Sequence, residues 1–151
     1  IIENCEKYYI FRTAWLYGEG NNFVRTMLKL GKQKDELNVV ADQHGSPTYA
    51  VDLAKIIHQA IEKQIPYGIY HTTNQGFTTW YEFTKKIFEL ANVSCKVNPV
   101  TTEEYIEMMK ITQAKRPKNS KLSKDKILNQ GIEVPNWEEA LKRYLVVEGE
   151  M

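Results

Sequence analysis

Two cysteines in 151 residues, Cys5 and Cys95, are too few for a disulfide scaffold, and neither stands in a CxxC spacing. The histidines, His44, His58 and His71, lie too far apart in sequence to form a metal set, so no metal site is expected. No apolar run approaches the roughly 18 residues that a membrane helix needs, and the opening Ile1-Ile2-Glu3-Asn4 has neither the basic flank nor the apolar stretch of a signal peptide. These absences predict a soluble, cytoplasmic protein that does not bind membranes. A net charge of +1 supplies no general attraction to nucleic acid, and none is expected as a partner. Neither GxGxxG nor GxxGxxG occurs, so there is no dinucleotide fingerprint.

The chain does have the composition of a globular domain, with 42% hydrophobic and 26% charged residues. A chain of this length buries about 70% of its unfolded surface, enough for a core without staples. Tyr8 to Tyr17 is rich in β-favouring residues and breaks at Gly18-Glu19-Gly20-Asn21-Asn22. Phe23, Met27 and Leu30 then recur at helical spacing, with Asn21 or Asn22 to cap the start and Gly31 to cap the end. After a short strand at 37–40 and the polar loop 42–48 comes a longer helix. Its expected apolar stripe is Ala50, Leu53, Ala54, Ile57, Ala60 and Ile61, with Asp52, Lys55 and Glu62 facing water. A strand at 68–72 follows. Three helices then begin at capping pairs, Thr79 with Glu82, Thr101 with Glu104, and Asn136 with Glu139.

Strands alternating with long helices predict an α/β fold with mostly parallel pairing. The expected architecture is a partial doubly wound, Rossmann-like parallel sheet over residues 1–77, lacking its N-terminal strands, with a smaller helix-rich, substrate-binding lobe over residues 78–151.

Few residues could carry chemistry. The Gly18-to-Asn22 segment reads as a strand-exit turn and, compatibly, as a polar cradle at a helix N-terminus. Tyr81 and Lys85 have the Tyr-x-x-x-Lys spacing of a reductase pair, but they sit on a helix whose other face is core, with no cofactor loop before it, so no catalytic residue is assigned. Between Lys110 and Lys126 the chain carries Lys110, Lys115, Arg116, Lys118, Lys121, Lys124 and Lys126 against one acid, Asp125. That run reads as a solvated loop in which Arg116 could hold a phosphate bidentately, with Asn119 and Ser120 adding hydrogen bonds.

Four motifs stand in register across the chain: Arg12-Thr13-Ala14-Trp15-Leu16-Tyr17-Gly18; Asn21-Asn22-Phe23; Asp42-Gln43-x-Gly45-Ser46-Pro47-Thr48 followed by Asp52-Leu53-Ala54; and Arg116-Pro117-x-Asn119-Ser120-x-Leu122. Together they resemble the carboxy-terminal half of the dTDP-4-dehydrorhamnose reductase family, which belongs to the extended short-chain reductases. One departure is Met108 to Gln113, where that family usually has a proline-containing approach to the last motif.

The resemblance implies a whole enzyme that reduces the C4 keto group of dTDP-4-dehydro-L-rhamnose to give dTDP-L-rhamnose, with NADPH or NADH as hydride donor. It places the cofactor fingerprint and the catalytic Tyr and Lys before Ile1, so this chain by itself is expected to be inactive and to bind no cofactor tightly. Trp15, Asn21, Asn22, Gln43, Thr48, Arg116 and Asn119 match positions that line the dTDP-sugar cleft. The chain is expected to need its missing N-terminal half as partner, or to self-associate through an unpaired sheet edge. The other reading is a non-catalytic nucleotide-sugar-binding or regulatory module of the same fold, like the regulatory subunit of methionine adenosyltransferase.

Overall fold

A computed structural model of the chain describes residues 4–110 and 116–151. The expected approach from Ile111 to Gln113, together with Ala114, Lys115 and the opening Ile1 to Glu3, lies outside the described residues. In chain order the elements are β1 (Tyr9–Arg12), β2 (Leu16–Tyr17), α1 (Phe23–Gly31), β3 (Glu36–Val40), β4 (His44–Gly45), β5 (Thr48–Tyr49) and α2 (Ala50–Glu62). These are followed by β6 (Gly68–His71), β7 (Thr78–Thr79), α3 (Trp80–Leu90), β8 (Lys96–Val100), α4 (Thr102–Met109), α5 (Asp125–Leu128) and α6 (Trp137–Val147).

The fold is mixed α/β. Its strands form four separate two-stranded pairs rather than one continuous sheet: β1 with β6, β2 with β5 and β3 with β8 are parallel, and β4 with β7 is antiparallel. The single early strand expected over Tyr8 to Tyr17 is split, because Trp15 takes a left-handed backbone (φ 49°) that no strand can contain. β4, β5, β7 and β8 had no counterpart in the sequence reading.

The helices start where the side chains direct. Asn22 caps α1 by accepting the Arg25 N–H, Thr79 caps α3 by accepting the Glu82 N–H, and Thr101 with Glu104 forms a reciprocal box at α4. At α6 the cap is Asn136, accepting from Glu138 rather than using Glu139. Gly31 is the last residue of α1, not the cap beyond it. A Cβ there would stand 2.5 Å from Phe88 Cζ, so the glycine lets α1 approach α3 closely.

The stripe expected on α2 is displaced. Its buried residues are Asp52, Ile56 and Ala60, while Ala54 and Ile61 are exposed. Asp52 therefore faces inward, its side chain 1% exposed, and accepts from Arg143 Nη2 at 2.8 and 2.9 Å and from Asn74 at 2.8 Å. A buried carboxylate persists only when so paired.

One apolar cluster joins Val24 and Leu28 of α1, Phe83 and Ile87 of α3 and Leu141 and Leu145 of α6, so residues on both sides of position 77 share it. A second, smaller cluster seats Ile56, Tyr70, Ile127 and Ile132 beneath α2. Among the described residues no helix is long and apolar enough to cross a membrane.

Candidate functional site

A cleft of about 620 Å³ opens between α1, β3, α4 and the segment that follows the undescribed residues. One wall is aromatic: Trp15 and Trp80 stack with ring centroids 3.7 Å apart, and Phe23 lies 4.4 Å from Trp80. Met27, Val39, Tyr105 and Pro117 extend the apolar lining, and Arg116 and Ser120 add polar groups. An aromatic face beside a guanidinium suits a ligand that is part sugar or base and part phosphate.

Trp15 is placed by its neighbours. Thr48 donates its N–H to the Trp15 carbonyl at 3.1 Å and its hydroxyl to the Ala14 carbonyl at 2.8 Å, holding the left-handed turn. On one side the indole lies against Gly45, where a Cβ would come within 2.7 Å of Trp15 Cε2. The Gly45 to Thr48 motif thus makes room for the indole and pins its backbone.

Polar contacts lace the walls together. The Trp80 Nε1–H donates to Gln43 Oε1 at 3.3 Å, Gln43 Nε2 donates to Thr102 Oγ1 at 3.0 Å, and the Thr102 hydroxyl donates to Asp42 Oδ1 at 2.6 Å. Burial pushes the Asp42 carboxyl up, but the Thr102 hydroxyl and N–H and the ammonium of Lys118 outweigh it and hold the group below its ordinary value. Lys118 bridges Asp42 at 3.3 Å and Glu103 of α4 at 3.2 Å. The backbone completes the seam: His44 N–H donates to the Lys118 carbonyl at 2.9 Å, and Ser120 N–H to the His44 carbonyl at 2.7 Å. This seam brings Arg116, two residues before Lys118, to the same cleft as Trp15. Among the described residues Arg116 forms no ion pair.

Of the seven expected positions, Trp15, Gln43 and Arg116 line the cleft. The other four do not. Asn22 is committed to structure: its amide donates to the Gly18 and Gly20 carbonyls and to Tyr144 Oη, and its carbonyl caps α1. Asn21 is exposed in the preceding turn. Thr48 is fully buried behind Trp15, and the side-chain Oδ1 of Asn119 accepts from Lys121 N–H at 3.0 Å. Trp80 and Tyr105 line the cleft without having been singled out.

Lys124 is a second surprise. Assigned to a solvated loop, it is buried, with its amine 3.4 Å from Ser46 Oγ and 4.2 Å from the centre of the Phe77 ring, and burial lowers its pKa. Tyr81 and Lys85 form no reductase pair, since the Lys85 amine bonds Glu82 at 3.3 Å and lies over the Tyr81 ring.

In the Gly18 to Asn22 turn, the Asn22 amide that the cradle reading offered to a ligand is committed to internal bonds. The Gly18 carbonyl accepts from Asn22 and from the Tyr144 hydroxyl, and a Gly18 Cβ would meet Ala50 Cβ at 2.9 Å. The Asn22 amide is thus not free to meet a dinucleotide diphosphate.

Comparison with known proteins follows the same line. The chain is 46% identical over 137 residues to the spore coat polysaccharide biosynthesis protein SpsK of Bacillus subtilis, covering 90% of this chain and 46% of that protein. It is 46% identical over 147 residues to a dTDP-4-dehydrorhamnose reductase of Aggregatibacter actinomycetemcomitans, covering 88% and 48%. The crystal structure of the Bacillus anthracis dTDP-4-dehydrorhamnose reductase in complex with NADP superimposes with a TM-score of 0.85 at 45% identity, covering 97% of this chain and 50% of that one. The chain therefore spans about half the length of these relatives. The family described as RmlD substrate binding domain matches residues 1–148, and with its motifs, cleft and fold in agreement, the chain belongs to that family.

Proposed function

We propose that this chain is the substrate-holding half of an NAD(P)H-dependent dTDP-4-dehydrorhamnose reductase, acting with the part of the enzyme that its relatives carry beyond the matched segment. The substrate is dTDP-4-dehydro-L-rhamnose, whose C4 keto group is reduced to give dTDP-L-rhamnose. The observation that carries the reading is that Trp15 and Arg116, distant in sequence, share one concavity. The Arg116 guanidinium meets the diphosphate through paired N–H donors, and the aromatic wall takes the apolar face of the hexose. Tyr105, Met27 and Val39 leave an apolar recess for the base. The contribution to rate is positional: holding C4 in one place turns a chance encounter into a local reaction.

Calorimetry with dTDP tests the assignment directly. Wild-type chain binds, and Arg116→Ala weakens binding by at least about tenfold, the worth of a charge-assisted hydrogen bond of roughly 1.5–3 kcal/mol. Absence of dTDP binding, or an Arg116→Ala variant that binds as well as the parent, refutes it. Mixed with NADPH and the 4-keto sugar nucleotide, the chain alone consumes no NADPH.

A further inference from the structure

The two indoles at the head of the cleft occupy each other. Trp15 and Trp80 lie 3.7 Å apart and within 15° of parallel, which is one van der Waals contact of about 3.5–4.0 Å. No pyranose fits between them. Behind Trp15 stands Gly45, so close that a single added carbon would overlap the indole. A sugar can therefore gain Trp15 only by taking the place of the ring already on it.

The two rings are not equally fixed. Trp15 sits on a backbone turn tied at its own carbonyl and at the Ala14 carbonyl by Thr48. Trp80 is the first residue of α3, with no preceding helical turn to confine its side-chain rotation. It is half-buried, and its ring N–H is held to Gln43 by a bond of 3.3 Å, beyond the usual range for N–H donors. The open cleft beside it leaves room for the ring to move.

From this geometry we propose that Trp80 fills the hexose seat on Trp15 in the ligand-free chain, and that the sugar of a hexosyl nucleotide displaces it. The proposal rests on the sugar-nucleotide reading of the cleft. The exchange conserves hydrogen bonds, because Gln43 Oε1, released by the indole N–H, can accept a sugar hydroxyl while its amide stays on Thr102. Trp80 then acts as a specificity-determining residue. Every hexosyl ligand must first break an aromatic pair, a tax of roughly twofold to tenfold on affinity, whereas bare dTDP bypasses it.

Stacked indoles give an exciton couplet in far-ultraviolet circular dichroism, and titration of the wild-type chain reads it without any substitution. Trp15→Phe and Trp80→Phe each erase the couplet in the free chain, which assigns the signal to this pair rather than to Trp137. The expected result is that dTDP-L-rhamnose abolishes the wild-type couplet on binding, while dTDP binds and leaves it intact. In addition, Trp80→Ala tightens dTDP-L-rhamnose binding roughly twofold to tenfold relative to dTDP. A couplet that survives saturation with dTDP-L-rhamnose, a couplet lost with dTDP alone, or weaker relative binding of the sugar nucleotide to Trp80→Ala each overturns the displacement while leaving the sugar-nucleotide reading in place. Failure of both ligands to bind sinks that reading, and the displacement with it.

Discussion

Substituting Gly45 by Ala isolates the packing that seats Trp15. Gly45 is not among the residues with positive φ, so alanine meets no backbone penalty there and any loss of stability is steric. The new methyl would stand 2.7 Å from Trp15 Cε2, 2.9 Å from Cζ2 and 3.0 Å from Nε1. Ordinary carbon contacts are about 3.5–4.0 Å, so the indole must retreat by roughly 1 Å. It can do so only by pushing Trp80, 3.7 Å away, off its face, which costs the aromatic pair. Overpacking of this kind costs about 1–3 kcal/mol, or a fall of roughly 2–12 °C in Tm for a domain of this size. Urea unfolding measures it as a lower midpoint at unchanged m-value. The decisive comparison is the same substitution in a Trp15→Ala background. With the indole gone the methyl has space, and Gly45→Ala should cost less than about 0.5 kcal/mol. Equal costs in the two backgrounds, or a Gly45→Ala chain as stable as its parent, refute the account.

Two further predictions concern charge. Arg143→Met leaves the Asp52 carboxylate, 1% exposed, with Asn74 as its remaining hydrogen-bond donor. Breaking a buried pair costs about 3–5 kcal/mol, and because the Arg143 side chain is 35% exposed we expect about 2–3 kcal/mol in equilibrium unfolding; a loss below about 0.5 kcal/mol contradicts the pairing. The Asp42 carboxyl, held below its ordinary value, titrates lower in the folded chain than in the unfolded one. Its stabilisation is therefore complete above the ordinary carboxylate pKa of about 4 and is lost as pH falls through the lowered folded value. Thr102→Val, which removes one of the hydrogen bonds responsible, should flatten the acid limb of a stability-against-pH curve between about pH 5 and pH 3; an unchanged slope there counts against the network.

What could be read from the chain is what is local. Asn22, Thr79 and Thr101 announce helix starts because a cap and its target lie within three residues of each other. The motifs around Trp15, Gly45 and Arg116 likewise pointed to the cleft. What escaped depends on distant partners. Asp52 looked solvent-facing because Arg143 lies 91 residues away, and Lys124 looked solvated because Ser46 lies 78 residues away. Asn22 looked like a ligand contact because its amide finds Tyr144 only in the fold. Strands of two residues carry too little alternation to be seen, which is why the four separate pairs were not foreseen. Trp80 satisfied the apolar period of α3, which does not distinguish a core ring from one at the edge of a cleft.

The Tyr144 hydroxyl, which reaches back over 126 residues to the Gly18 carbonyl and 122 to the Asn22 amide, has a consequence for how the molecule comes into being. Arg25 is likewise clamped by Glu148, 123 residues on. During synthesis, the turn that launches α1 waits for α6 to emerge before its last bonds can close. Such high contact order slows folding, and it makes α6 the element that completes the assembly. A ribosome-bound intermediate stopped short of α6 would carry the aromatic pocket only in outline.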